Sequence, residues 1–180
     1  LRDDLRPRKL YRSSALRVES GATWLDRDYS AWFDPSGKDT ASCLLAQLAA
    51  CQAQGFCQVV LTDFQFPTVG KTQLIDLSGT PSKTAALTEL ARQLSEGTAL
   101  PLGLLLTEHA AQDLLDSEAG QDVMELAQYF DVLYVDTAAS DTDLSALRQA
   151  LAETDCRLGI LAPAGSARSD ETLDVIVKQP

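Results

Sequence analysis

The sequence predicts an α/β protein built on a parallel sheet, and three observations predict it. From residue 39 onward, stretches with helical periodicity alternate with short apolar runs. Five such runs occur, at 58–67, 100–108, 131–136, 157–165 and 172–180, each joined to the next by a helix or by a loop long enough for a crossover. The second run, LPLGLLLTE, is apolar nearly throughout, as a strand covered on both faces must be.

The elements follow in order. Asp39 or Thr40 can cap a helix through LLAQLAACQAQ, which Gly55 ends. QVVLTDFQFP reads as a strand because it is rich in β-branched and aromatic residues, and Pro67 closes it. Residues 68–82 carry turn signals and read as a long loop. Ser82 caps the next helix, KTAALTELARQLSEG, with Leu87, Leu90, Ala91 and Leu94 as its apolar stripe. After the second strand HAAQDLL is helical in pattern, and residues 116–120 read as a solvated loop. QDVMELAQYF reads as a short helix before the strand DVLYVD. Residues 142–153 form the last helix, with Leu144, Leu147 and Leu151 on one side, ahead of RLGILAPAG and TLDVIVKQP.

Composition bounds the function. The 180 residues are 45% apolar and 23% charged, an ordinary globular balance. Fifteen Lys+Arg against 26 Asp+Glu leave a net charge of −11, which repels phosphates and anionic lipid and removes nucleic acid and membrane surfaces as default partners. Residues 1–17 hold six basic and two acidic side chains, so the first 20 residues read as a basic arm or linker and 21–180 as the domain. No apolar run reaches the roughly 20 residues of a membrane span. LRDDLRPRKL lacks the apolar centre of a signal peptide, and a first residue of Leu is consistent with a processed or truncated product.

Neither a dinucleotide-binding GxGxxG nor a P-loop is present, since GKT at 70–72 lacks the upstream glycine. Cys43, Cys51, Cys57 and Cys156 form no CxxC pair and read as small buried thiols, with Cys57 and Cys156 each just before a strand. No metal or organic cofactor is implied. The first 38 residues instead gather Trp24, Tyr29, Trp32 and Phe33 among Asp26, Arg27, Asp28 and Asp34. Clustered rings among acids suit sugar stacking, and they equally suit rings that plug one end of a fold.

Two blocks carry a family resemblance. WLDRDYSAWFDPSGKDT, a helix, then GFCQVVLTDFQFP supply Gly21, Trp24, Trp32, Asp34, Pro35, Gly55, Phe56, Phe66 and Pro67. AGQDVMELAQYFDVLYVD supplies Gly120, Gln121, Asp122, Tyr129 and Asp131. In this order they resemble a largely uncharacterised glycosyl hydrolase domain family of TIM barrels related to α-amylase-like barrels. The resemblance spans about residues 21–136. It implies a (β/α)8 barrel of which this chain supplies strands four to eight, a carbohydrate ligand, an extracytoplasmic setting, and a partner chain or missing N-terminal half that completes the barrel. The sequence departs from the family at its strand acid, which falls on Thr62 with Asp63 one place on, and at its arginine, which falls on Gln65.

Glycoside hydrolysis needs two carboxylates, about 5–5.5 Å apart for retention or 6.5–9.5 Å for inversion. Three acids stand at strand C-termini: Asp63, Glu108 and Asp136. Glu108 follows an apolar strand whose desolvation favours the protonated form, so it is the candidate general acid and Asp63 the nucleophile or stabiliser. His109, Gln65 and Asp136 are candidate substrate hydrogen-bonders, with Trp24, Tyr29 and Trp32 as stacking residues. Two other readings stand beside the hydrolase. One is a non-catalytic carbohydrate-binding or cell-surface structural module on a degenerate barrel. The other is a subunit whose open sheet edge pairs with a partner chain.

Overall fold

Val59–Leu61 (β1), Leu102–Leu105 (β2), Val132–Asp136, Arg157–Ala162 and Asp174–Val177 lie side by side in one sheet in a computed structural model of the chain. It describes residues 1–2, 12–136 and 143–162, and the backbone of 174–177. Between the second and third strands of that row a two-stranded antiparallel hairpin intervenes, Leu115–Asp116 (β3) with Gln121–Asp122 (β4). The row is therefore β1-β2-β5-β6-β7, numbered along the chain, and every pairing in it is parallel. All five expected strands are present in the expected order. The architecture is α/β with a parallel sheet.

Parallel partners share a face, which sorts the strand residues into two sets. Leu102, Leu104, Leu133, Val135 and Leu158 belong to the main core, with Val59 and Leu61 packed against it. The helices meet this set. They are Thr40–Ala53 (α1), Lys83–Gly97 (α2), Glu108–Asp113 (α3), Val123–Leu126 (α4) and Ser145–Leu151 (α5), and each contributes buried side chains to the same cluster. The described helices thus pack on one face. The opposite face carries Val60, Gly103, Leu105, Val132, Tyr134 and Gly159.

The best-formed helix is α2. The Ser82 hydroxyl accepts from the backbone N–H of Ala85 at 3.0 Å, the cap its sequence predicts. Leu87, Leu90 and Leu94 are buried on its stripe, each contributing roughly 1.5–3 kcal/mol. At the start of α1 the capping expectation needs correction. Asp39 occupies the N-cap position, yet its carboxylate accepts from the Ser13 hydroxyl at 3.0 Å and makes no bond to the helix. Thr40 donates to the carbonyl of Asp34 at 2.6 Å.

The helix read over 121–130 is shorter, because Gln121 and Asp122 are taken by the hairpin. Asp122 then caps α4 by accepting from Met124 and Glu125 at 3.1 and 3.3 Å. Asp116, expected in solvent, is buried. The last helix begins at Ser145 rather than 142, and the ends of the final strand lie outside the described residues.

Ahead of α1 the chain forms a meander of antiparallel bridges: Ala15 with Phe33, Arg17 with Thr23, Leu25 with Ala31, and Val18 with Ile75 of the long loop. Ser14, Ala15 and Leu16, within the stretch read as an arm, are buried in it. All four cysteines are free. Cys57 is exposed rather than buried, and it leads β1 while Cys156 leads β6. Three strand spacings separate them, about 14 Å, beyond the reach of a disulfide. No described helix is long and apolar enough to cross a membrane.

Candidate functional site

Asp26 builds the turn at the tip of the meander. Its Oδ1 accepts from the backbone N–H groups of Asp28 and Ser30, at 2.9 and 2.8 Å, leaving Oδ2 to accept from the indole N–H of Trp32 at 3.0 Å. Arg2 closes on the same turn, with Nε 3.0 Å from Asp26 Oδ2 and a terminal nitrogen 2.9 Å from Asp28 Oδ2. Burial pushes the Asp26 carboxyl up. The indole of Trp32, the two backbone donors and the Arg2 charge together outweigh that and hold it below the ordinary aspartate value.

Facing this turn is the loop that leaves β1. Asp63 there adopts a left-handed backbone with φ 50°, unusual for a residue with a Cβ. Its carbonyl accepts from the amino group of Leu1. Phe64 and Phe66 alternate with it and are buried, so Asp63 and Gln65 turn the other way. The Phe64 ring meets Phe130 edge-on, with centroids 5.6 Å apart. Between the two loops lies a cleft of about 200 Å³, lined by Arg2, Asp26, Trp32, Asp63, Gln65 and Thr68 among others. Asp63 and Gln65 follow the last residue of β1 by two and four places, which sets the cleft at the C-terminal end of that strand.

Three of the residues singled out by sequence converge on this cleft: Trp32, Asp63 and Gln65. The others do not line it. Trp24 is only 3% exposed, with its indole donating to the Lys71 carbonyl at 3.0 Å, so it has no free ring face for a sugar. Tyr29 is 74% exposed at the tip of the turn, again with positive φ. Trp32 lines the cleft but is only 6% exposed, and its indole N–H is taken by Asp26.

Glu108 is the first residue of α3 and stands in solvent, where Gln112 donates to it at 3.3 Å. The apolar strand before it therefore does not desolvate it. His109 is exposed beside it, and Asp136 ends β5, half-buried. Glu108 does not line the cleft that Asp63 lines. Among the described residues no cluster of His, Cys, Asp and Glu is arranged to hold a metal ion.

Sequence reasoning missed Arg2, which was assigned to an arm, and the role of Asp26. The Asp26-x-Asp28-x-Ser30 spacing is a signal for a side-chain-built turn and could have found the latter. Compared with protein-family models and with curated proteins, the chain matches none.

Proposed function

We propose that the chain is a carbohydrate-binding module on part of a (β/α) barrel, and that the cleft at the end of β1 is its site. One observation carries the reading: Trp32, Asp63 and Gln65, from two distant segments, converge where parallel α/β folds place their ligands, at a strand C-terminus. The barrel part rests on two features. The strands run across the sheet in chain order, and the described helices cover a single face.

The chemistry of the lining suits sugar hydroxyls. Asp63 carries a carboxylate that makes no hydrogen bond or ion pair among the described residues, while the Gln65 amide both donates and accepts. Pro67 and Val69 supply apolar surface for a ring face. The volume suits about one sugar residue, below the roughly 300–1,000 Å³ of a drug-sized site. A net charge of −11 disfavours uronates and sulfated glycans.

Binding is favoured over hydrolysis because no second unpaired carboxylate lines the cleft among the described residues. Asp26 and Asp28 are both paired with Arg2, and Glu108 lies outside the cleft. Titrating labelled protein with hexamers of glucose, glucosamine and galacturonic acid, read at the Trp32 indole N–H, tests this. The neutral or aminated hexamer should bind, and Asp63→Asn should weaken it about tenfold, the worth of one charge-assisted hydrogen bond. No shift with any hexamer overturns the reading. Reducing-sugar release abolished by Glu108→Gln would replace it with the hydrolase.

A further inference from the structure

Gln121, the first residue of β4, is fully buried against the C-terminal end of β2, and both ends of its amide are used. Its Oε1 accepts from the backbone N–H of Thr107 at 2.8 Å, and its Nε2 donates to the carbonyl of Phe64 at 3.1 Å. One side chain therefore bolts the loop leaving β1 to the end of β2. Asp116 fixes the bolt in place, accepting from the Thr107 hydroxyl at 2.8 Å and from the N–H of Ala119 at 2.9 Å. A second link, Phe66 N–H to Ala119 carbonyl at 2.7 Å, ties the same loop to the same hairpin.

We propose that Gln121 is the positioning residue of the cleft: by holding the Phe64 carbonyl it fixes the peptide plane that joins Phe64 to Gln65, and so sets the Gln65 side chain. Its effect on ligand affinity rests on the binding-cleft reading above, whereas its effect on cleft geometry does not. Asp63 is held by other means: its own carbonyl, on the plane that joins it to Phe64, accepts from the Leu1 amino group. The next plane, between Phe64 and Gln65, is set by the buried Phe64 ring and the Gln121 amide. The ring fixes where residue 64 sits, and the amide fixes how the plane carrying its carbonyl is turned. Freed of that bond, the plane can rotate about ψ of Phe64 and φ of Gln65, and the Gln65 amide can swing out of the cleft. Gln121 does all this without lining the cleft itself.

Gln121→Glu isolates the bond. The ionised acid still accepts from Thr107 and cannot donate to Phe64, while the protonated acid regains a donor. Amide resonances of residues 62–66 and the Trp32 indole are read without ligand across a pH series. The wild type is run in parallel to subtract the titration of Asp63 in the loop and of Asp116, Glu118 and Asp122 on the hairpin. At neutral pH these resonances should move in the variant, and they should return as its carboxyl protonates. A merely structural loss would lower thermal stability without that return.

The glucosamine hexamer should bind the variant about fivefold more weakly at neutral pH, as expected when one neutral hydrogen bond is lost. Should this variant not fold, Gln121→Met removes both bonds at similar volume and is read at the same resonances. Unmoved resonances at 62–66, or moved resonances with unchanged hexamer affinity, overturn the proposal. If the wild type binds no hexamer, the carbohydrate reading fails while the resonances still decide whether Gln121 sets the cleft.

Discussion

Gly103 lies flat against the ring of Tyr134: a methyl in place of its hydrogen would stand 2.7 Å from Cε2. Gly159, paired with Tyr134 on the next strand, meets the other edge of the ring. The ring thus spreads over both neighbouring strands because neither has a side chain there. Gly103→Ala and Gly159→Ala should each lower stability by about 1–3 kcal/mol, the usual cost of overpacking. The same changes should cost less in a Tyr134→Val background. Urea midpoints of the two four-member cycles, one for each glycine, measure the coupling, and additive losses would show that the ring is not what the glycines accommodate.

The Asp26 carboxyl is held below its ordinary value in the folded chain. A group with a lowered folded value binds fewer protons folded than unfolded. Its stabilisation is therefore present at neutral pH and is lost as pH falls from the ordinary aspartate range, near 4, through the lower folded value. Asp26→Asn should accordingly lower the urea midpoint at pH 6, and the deficit should shrink as pH falls below 4.

Asp34 behaves in the opposite sense. Burial pushes its carboxyl up, against the partial relief of the Ser36 backbone N–H. An acid with a raised folded value binds more protons folded, so its ionised form destabilises the fold above that value and the penalty disappears as pH falls. Asn keeps the oxygen that accepts from Ser36. Asp34→Asn should therefore raise the urea midpoint at pH 7, with the gain fading toward pH 3.

Cys156 and Cys57 should separate cleanly in an alkylation time course. Burial pushes the Cys156 thiol up to about 11, which leaves almost no thiolate at pH 8, whereas Cys57 is exposed. Iodoacetamide followed by mass mapping should label Cys57 first and reach Cys156 only in denaturant. Early labelling of Cys156 would show that its cover opens readily.

Ser82→Ala should cost about 1 kcal/mol by leaving an α2 backbone donor without its acceptor. Thermal melts of the variant and of Ser82→Asp, which preserves an acceptor oxygen, make the comparison.

Sequence made the sheet legible because its signals are local and redundant. Each strand is a short apolar run between breakers, and Ser82 with the Leu87–Leu90–Leu94 stripe announces α2 in the same way. The β3–β4 hairpin was hidden because two-residue strands leave no period to read. Asp116 looked like a loop acid because its partners, Thr107 and Ala119, are a property of the folded turn. Of the candidate site, Asp63 and Gln65 were visible from their place after a strand. Trp24 was misjudged because composition cannot distinguish a ring that stacks on a ligand from one that fills the space beneath residues 70–71. Arg2 was out of reach altogether, since its partners lie more than twenty residues along the chain.

The unbroken chain order of the sheet has a kinetic consequence. Among the described residues each strand pairs only with strands next to it along the row, so every ladder of the sheet closes a loop of a few tens of residues and none joins the two ends of the chain. Assembly can start at any adjacent pair and spread outward, much as a zipper with teeth on one side. Damage to one unit should accordingly be felt by its immediate neighbours before it is felt by the cleft beside β1.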